Sequence, residues 1–145
     1  MTHKNRFAGG IDEAWLDQIK EEIIDPDLPI VDPHHHLWVA EGSVYLLPEF
    51  VADVNSGHNV RATVFAECRA MYRAAGPEEW RSLGETEFVT GVSAMSASGQ
   101  FGPTRVCAAM FGYVDLRLGG RVKPILEAHI TASGGRFRGI RFSTA

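Results

Sequence analysis

The sequence has no apolar run approaching the ~20 residues that cross a bilayer, so a membrane-spanning role is not expected. Its first ten residues, MTHKNRFAGG, lack the apolar centre of a secretory signal. Positive charge is scarce. Fourteen Lys and Arg stand against 18 Asp and Glu, a net charge of −4 with no basic stripe, which argues against nucleic acid and anionic membrane as partners. Cysteine is scarcer still. Cys68 and Cys107 sit in apolar, strand-like segments instead of a spaced framework, and read as buried thiols of a reducing compartment. A cytoplasmic protein is the expectation.

What is present suits a packed domain. The 145 residues are 45% hydrophobic and 22% charged, ordinary values for a globular chain. After a tail over residues 1–10, Ile11, Trp15, Leu16, Ile19 and Ile23 share one helical face, with Asp12 as N-cap. This predicts a helix from Ile11 to Ile24, stopped by Asp25-Pro26-Asp27-Leu28-Pro29. A short strand at Ile30-Val31 leads into three histidines, then a Gly- and Ser-containing loop, then a short helix from Pro48 to about Asn55.

From there strand and helix alternate. Strands are expected at Arg61–Cys68, Arg105–Val114 and Arg138–Phe142. A helix over Gly84–Ala97 should turn Phe88, Val89, Val92 and Met95 inward, and another over Arg121–Ala132 should bury Val122, Ile125, Leu126 and Ile130. Pro124 is tolerated in the first turn. Alternation of this kind predicts a parallel α/β sheet. Two architectures compete. A small doubly wound sheet suits the length, whereas a (β/α)8 barrel needs ~250 residues and would be present here only as its first four strands. The domain reading that follows is residues 1–27 as tail and helix, and 28–145 as half of a barrel.

The segment Ile30-Val31-Asp32-Pro33-His34-His35-His36-Leu37-Trp38 carries the chemistry, and the resemblance it bears, given below, implies the barrel. Side chains alternate along an extended strand, so Asp32, His34 and His36 should share one face and His35 the other. Two imidazoles at i and i+2, leaving a buried strand, can converge on one cation, and imidazole suits zinc and its neighbours. The plainer alternative is a solvated loop of three histidines. Its position at a strand end beside Asp-Pro speaks against that.

The stretch VDPHHHLW resembles the first-strand Asp-x-His-x-His signature of the amidohydrolase superfamily, and within it the amidohydrolase-related branch of hydrolases, lactonases and decarboxylases that often read D-P-H-H-H-L-W. VFAECRAMYRAAGPEEWRSLGETEFVTG and GGRFRGIRFS look like the same branch. The resemblance implies a TIM-type barrel with a metal-dependent hydrolase site at the C-terminal ends of its strands. It makes His34 and His36 ligands of a divalent ion, zinc foremost, and places the remaining ligands and the general base on later strands. Binuclear members often carry a modified lysine at the end of strand four. Arg141-Phe142-Ser143 stands there instead, which implies one metal or none.

Barrel geometry selects the other candidates, because functional groups lie just past the strands' C-terminal ends. Glu67, Tyr72 and Arg141 meet that test as substrate-binding residues, Arg141 through bidentate bonds to a carboxylate. The alternative for Glu67 and Arg141 is a structural ion pair with each other. Asp115 reads as a turn or capping residue, and Cys68 and Cys107 as core. His58 precedes its strand and His129 lies eight residues into its helix, so both read as structural or surface residues away from the site. The expected activity is hydrolysis of a small carboxylate-bearing ester, lactone or amide, with non-oxidative decarboxylation as the alternative. A third expectation is an inactive fragment, or a half-barrel that pairs with a second copy as a homo-oligomer.

Overall fold

The computed structural model describes residues 13–143. One helical turn, α1 (Glu13–Leu16), precedes β1 (Ile30–His35). A hairpin of β2 (Trp38–Ala40) and β3 (Ser43–Tyr45) follows, then α2 (Leu47–Val54), β4 (Val60–Ala66), α3 (Leu83–Ala97), β5 (Arg105–Gly112), α4 (Val122–Ala132) and β6 (Phe137–Ile140). Short 3-10 turns at Glu78–Trp80 and Leu116–Arg121 interrupt the connections.

The predicted parallel α/β sheet is present. Its four strands run in the order β1-β4-β5-β6, every neighbouring pair parallel. Chain order and spatial order coincide, so these strands contain no switch point at which a doubly wound sheet turns back. The helices gather on one face. Leu47, Phe50 and Val54 of α2 and Val89 and Val92 of α3 form one core with Phe65, Val106 and Met110 of the strands. On α4, Ile125 is buried and His129 bonds to Ser82 and Thr86 at the start of α3. On β4 the alternation is legible: Thr63 and Phe65 point into this core, while Ala62 and Val64 are only half-buried. Val31, which opposes Ala62, is 59% exposed, and Phe111 is 37% exposed.

Several sequence expectations need correction. The helix predicted from Ile11 to Ile24 is one turn, Glu13–Leu16, and Trp15, Ile19 and Ile24 are exposed. With Trp15 and Ile19 of its apolar face exposed, little burial supports a longer helix, and a helix of that length without packing is marginal in water. The tail, Ile11 and Asp12 lie outside the described residues. The loop after the histidines holds the β2–β3 hairpin, in which Trp38 stacks on Tyr45 and Gly42 takes a φ of 74° between the strands. Met95 and Ile130, expected inward, are exposed, while Glu85, Thr86, Ser93 and Ser96 of α3 and His129 of α4 are buried instead.

Alternation also fails in β1. Asp32 opposes Thr63 and His35 opposes Phe65, so β1 advances three residues against two on β4. Such a bulge is natural at Pro33, which has no N–H for the ladder. It puts Asp32 on the side of Thr63, with His35, and not on the expected face of His34 and His36. The Asp32 carboxylate instead accepts the His34 backbone N–H at 3.0 Å.

Candidate metal and substrate site

The C-terminal ends of the parallel strands lie along one edge, and the site forms there. Backbone bonds extend the ladder just past the strands: Glu67 N–H donates to Phe111 O at 3.1 Å, and Arg141 N–H to Gly112 O at 2.9 Å. These bonds hold the backbone of Glu67 just past β4 and that of Arg141 just past β6. In a flat sheet β1 and β6 would be about 14 Å apart, at ~4.8 Å per strand. Arg141 nevertheless reaches His34.

His34 Nε2 and His36 Nε2 are 3.2 Å apart, the rings edge to face. His36 Nδ1 lies 2.8 Å from the Ala66 carbonyl. A carbonyl only accepts, so His36 carries its proton on Nδ1 and turns a bare Nε2 toward His34. Burial lowers the His36 pKa, the Ala66 bond opposing it and His34 adding to it, which favours the neutral ring. Arg141 grips Glu67 twice, from Nε to the carboxylate Oε1 at 2.9 Å and from Nη2 to the carbonyl O at 2.6 Å. Its Nη1 stands 3.2 Å from His34 Nε2. The four candidates His34, His36, Glu67 and Arg141 are thus one cluster, and Glu67 and Arg141 form the ion pair that was the alternative to substrate binding.

Tyr72 is not in that cluster. Its hydroxyl is buried without a hydrogen-bond partner, and burial together with Glu85 raises its pKa above the ordinary phenol value. Its ring lines a cleft of about 580 Å³ between the connections that follow β4 and β5, with Arg69, Tyr113, Asp115 and Arg117. None of the four clustered residues lines this cleft. Asp115 is the capping residue expected, its carboxylate accepting the Arg117 N–H at 2.9 Å. His58 is exposed before β4, and His129 is fully buried, so the surface alternative fails for His129.

The donors fit a divalent ion in part. Two nitrogens at ~2.0–2.1 Å from a tetrahedral zinc lie ~3.3 Å apart, close to the His34–His36 spacing. The His36–Ala66 bond is the outer support that metal-binding histidines use. Among the described residues, no third His, Cys, Asp or Glu completes a ligand group. The pair by itself supplies two of the four donors that a tetrahedral zinc takes.

Sequence reasoning missed the supports behind the pair. His35, stacked on Phe50, is buried, and its Nε2 meets Thr63 Oγ1 at 2.9 Å and Cys107 Sγ at 3.8 Å. Desolvation lowers its pKa to about 4. Glu85 Oε1 accepts the backbone N–H groups of Cys68 and Ala70, each at 2.9 Å, and so pins the loop after Glu67, where Arg69 and Met71 have positive φ. Its Oε2 is buried and unpartnered, and desolvation raises its pKa to about 7. A glutamate in the first turn of a helix ordinarily reads as solvated, so no sequence signal marks it. The two cysteines are free; Cys107 is buried as expected, whereas Cys68 lies beyond β4 and is half-buried.

No protein-family model, curated protein or solved structure matches the chain. No helix among the described residues is long and apolar enough to cross a membrane.

Proposed function

We propose that the chain is the N-terminal half of an amidohydrolase-type (β/α)8 barrel, whose complete site hydrolyses a small carboxylate-bearing ester, lactone or amide. Three features support the barrel. The parallel strands follow chain order without reversal, the helices share one face, and the polar cluster sits at the C-terminal strand ends, where barrels place their chemistry.

One observation carries the function: two imidazoles face each other across 3.2 Å at that edge, one of them tautomerically fixed by Ala66. His34 and His36 would hold a single divalent ion, zinc in the first instance. Such an ion supplies Lewis-acid polarisation of a carbonyl and a lowered pKa for the reacting water. Glu67 holds the guanidinium of Arg141 over the site, and Arg141 offers its remaining N–H groups to a substrate carboxylate. The general base belongs to a later strand of the barrel.

The test is a lactone and ester screen on the protein with a complete barrel, with CO₂ release followed in parallel. A His34→Ala, His36→Ala variant that stays folded should lose at least ~100-fold in turnover, as loss of metal support does elsewhere. Retention of full turnover refutes the role of the pair. Carbon dioxide from carboxylic acids, with no ester or lactone cleavage, would replace hydrolysis by decarboxylation.

A self-paired half-barrel is a second reading, favoured by the exposure of Val31 and Phe111 on the sheet and by the single-sided pairing of β1 and β6. Unpaired edges of this kind template association.

A further inference from the structure

For two neutral imidazoles, the contacts around His34 Nε2 cannot all be satisfied at once. His36 Nε2 is a bare lone pair, because the ring's proton is committed to Ala66 O at 2.8 Å. His34 Nε2 therefore has to donate to make a hydrogen bond across the 3.2 Å gap. Arg141 Nη1, also 3.2 Å from His34 Nε2, is a donor with no acceptor capacity. If His34 Nε2 carries a proton, two N–H groups confront each other. If it does not, Arg141 is satisfied but two imidazole lone pairs face one another. Either tautomer leaves one of the two contacts repulsive.

A cation between the imidazoles removes the conflict, since both lone pairs then point at positive charge. The guanidinium already supplies part of that charge at one edge of the pair. A divalent ion bound to His34 Nε2 would stand close to Arg141, and two like charges so near each other repel. Glu67 tethers Arg141 through its carboxylate and its carbonyl. The Arg141 side chain is 45% exposed, against 12% for Glu67, so the guanidinium has solvent into which to move.

We propose that Arg141 is a tethered cation that competes with a divalent metal ion for the His34–His36 pair, so that metal loading requires its guanidinium to swing out of the corner. The inference rests on the metal reading above and adds regulation to it. A substrate carboxylate that draws Arg141 away from His34 would favour the metal-loaded state, coupling the two ligands positively.

The test is equilibrium binding of Co²⁺ alone to the whole chain, read by calorimetry and by the visible absorption of the coordinated ion. Arg141→Met keeps the length of the stem and removes the charge, and should tighten Co²⁺ binding by tenfold or more. Because that change strands the Glu67 carboxylate, the double variant Arg141→Met, Glu67→Gln is measured beside it and should also bind more tightly than wild type. Arg141→Lys keeps the charge and should stay near wild type. Equal or weaker binding by both Met variants overturns the competition, provided that His34→Ala still abolishes binding; the metal site then survives without it. Binding that His34→Ala leaves untouched, or no binding by any variant, overturns the metal reading and the competition together.

Discussion

Thr63 Oγ1 stands 2.9 Å from His35 Nε2, and the same hydroxyl accepts the backbone N–H of Cys107 at 3.0 Å. With one lone pair taken by Cys107, the hydroxyl keeps its hydrogen and a second lone pair for His35 Nε2, the direction following the His35 tautomer. Thr63 on β4 therefore ties β1 to the irregular part of β5, where Cys107 has a φ of 53°. It also fixes the ring behind the metal-site candidates. His35 stays neutral, held to a pKa of about 4 by burial.

Thr63→Val tests this tie. The substitution keeps the shape and removes the hydroxyl, leaving the buried Cys107 N–H without this partner and His35 Nε2 with only the weak contact to Cys107 Sγ at 3.8 Å. Each orphaned group costs about 1–3 kcal/mol. The denaturation midpoint should fall by an amount worth ~2 kcal/mol or more at unchanged m-value. A loss below ~0.5 kcal/mol would mean that the hydroxyl is not shared as described.

The parallel strands, the helices after Pro48 and the histidine pair were legible in the sequence because each rests on local pattern: apolar runs, helical spacing, and two imidazoles at i and i+2. What was illegible depends on partners distant in the chain. The first predicted helix had the right periodicity, yet Trp15 and Ile19 of its apolar face are exposed. Met95 and Ile130 lost their inward places to Glu85, Thr86 and His129, whose burial depends on hydrogen bonds between α3, α4 and the β4 loop. Asp32 left the histidine face because the bulge at Pro33 is set by pairing with β4. The Arg141–Glu67 pair was foreseen as one of two options. Its contact with His34 was not, because sequence spacing says nothing about how far a guanidinium reaches across strand ends.

Two glycines of α3 should respond oppositely to the same change. Helix propensity favours alanine over glycine by about 1 kcal/mol. Gly91 is in open space, so Gly91→Ala should stabilise by roughly that amount. At Gly84 an added Cβ would meet Met71 O at 2.5 Å and Arg73 N at 2.8 Å, both backbone atoms of the loop carrying Tyr72. Overpacking against backbone costs about 1–3 kcal/mol, which outweighs propensity, so Gly84→Ala should destabilise. Thermal denaturation of the two variants settles the sign, and stabilisation of both would show that the loop yields freely.

The pH dependence of stability has two opposed parts. Burial holds His35 and His129 to about 4, below the ordinary 6.5. The unfolded chain therefore binds more protons between those values, and stability falls as pH drops from about 6.5 to about 4. Glu85 does the reverse. Raised from 4.5 to about 7 by desolvation, it keeps its proton in the native state where the unfolded carboxyl has lost it, so its contribution falls as pH rises through that window. Glu85→Gln removes only this second part. Relative to wild type, the variant should gain stability steadily from pH 4.5 to 7.5, by roughly 3 kcal/mol at ~1.4 kcal/mol per unit. Urea titrations across that range check it, and parallel curves for the two proteins would show that Glu85 is not held neutral.

Phe111 and Val31 decide whether the uncovered sheet face has a partner in solution. Both are strand residues with substantial exposure, 37% and 59%, beside edge strands that each have one neighbour. Apolar exposure next to open edges drives association, so the apparent mass should rise above the 15.9 kDa of one chain as concentration increases. Phe111→Lys and Val31→Lys place a charge on that face. If the face is bare in the single chain, each should change its stability by less than about 1 kcal/mol while returning the mass toward one chain. Sedimentation equilibrium measures the mass and urea denaturation at low concentration the stability. Association that both substitutions leave intact would move the contact to another surface and remove the support for a self-paired half-barrel.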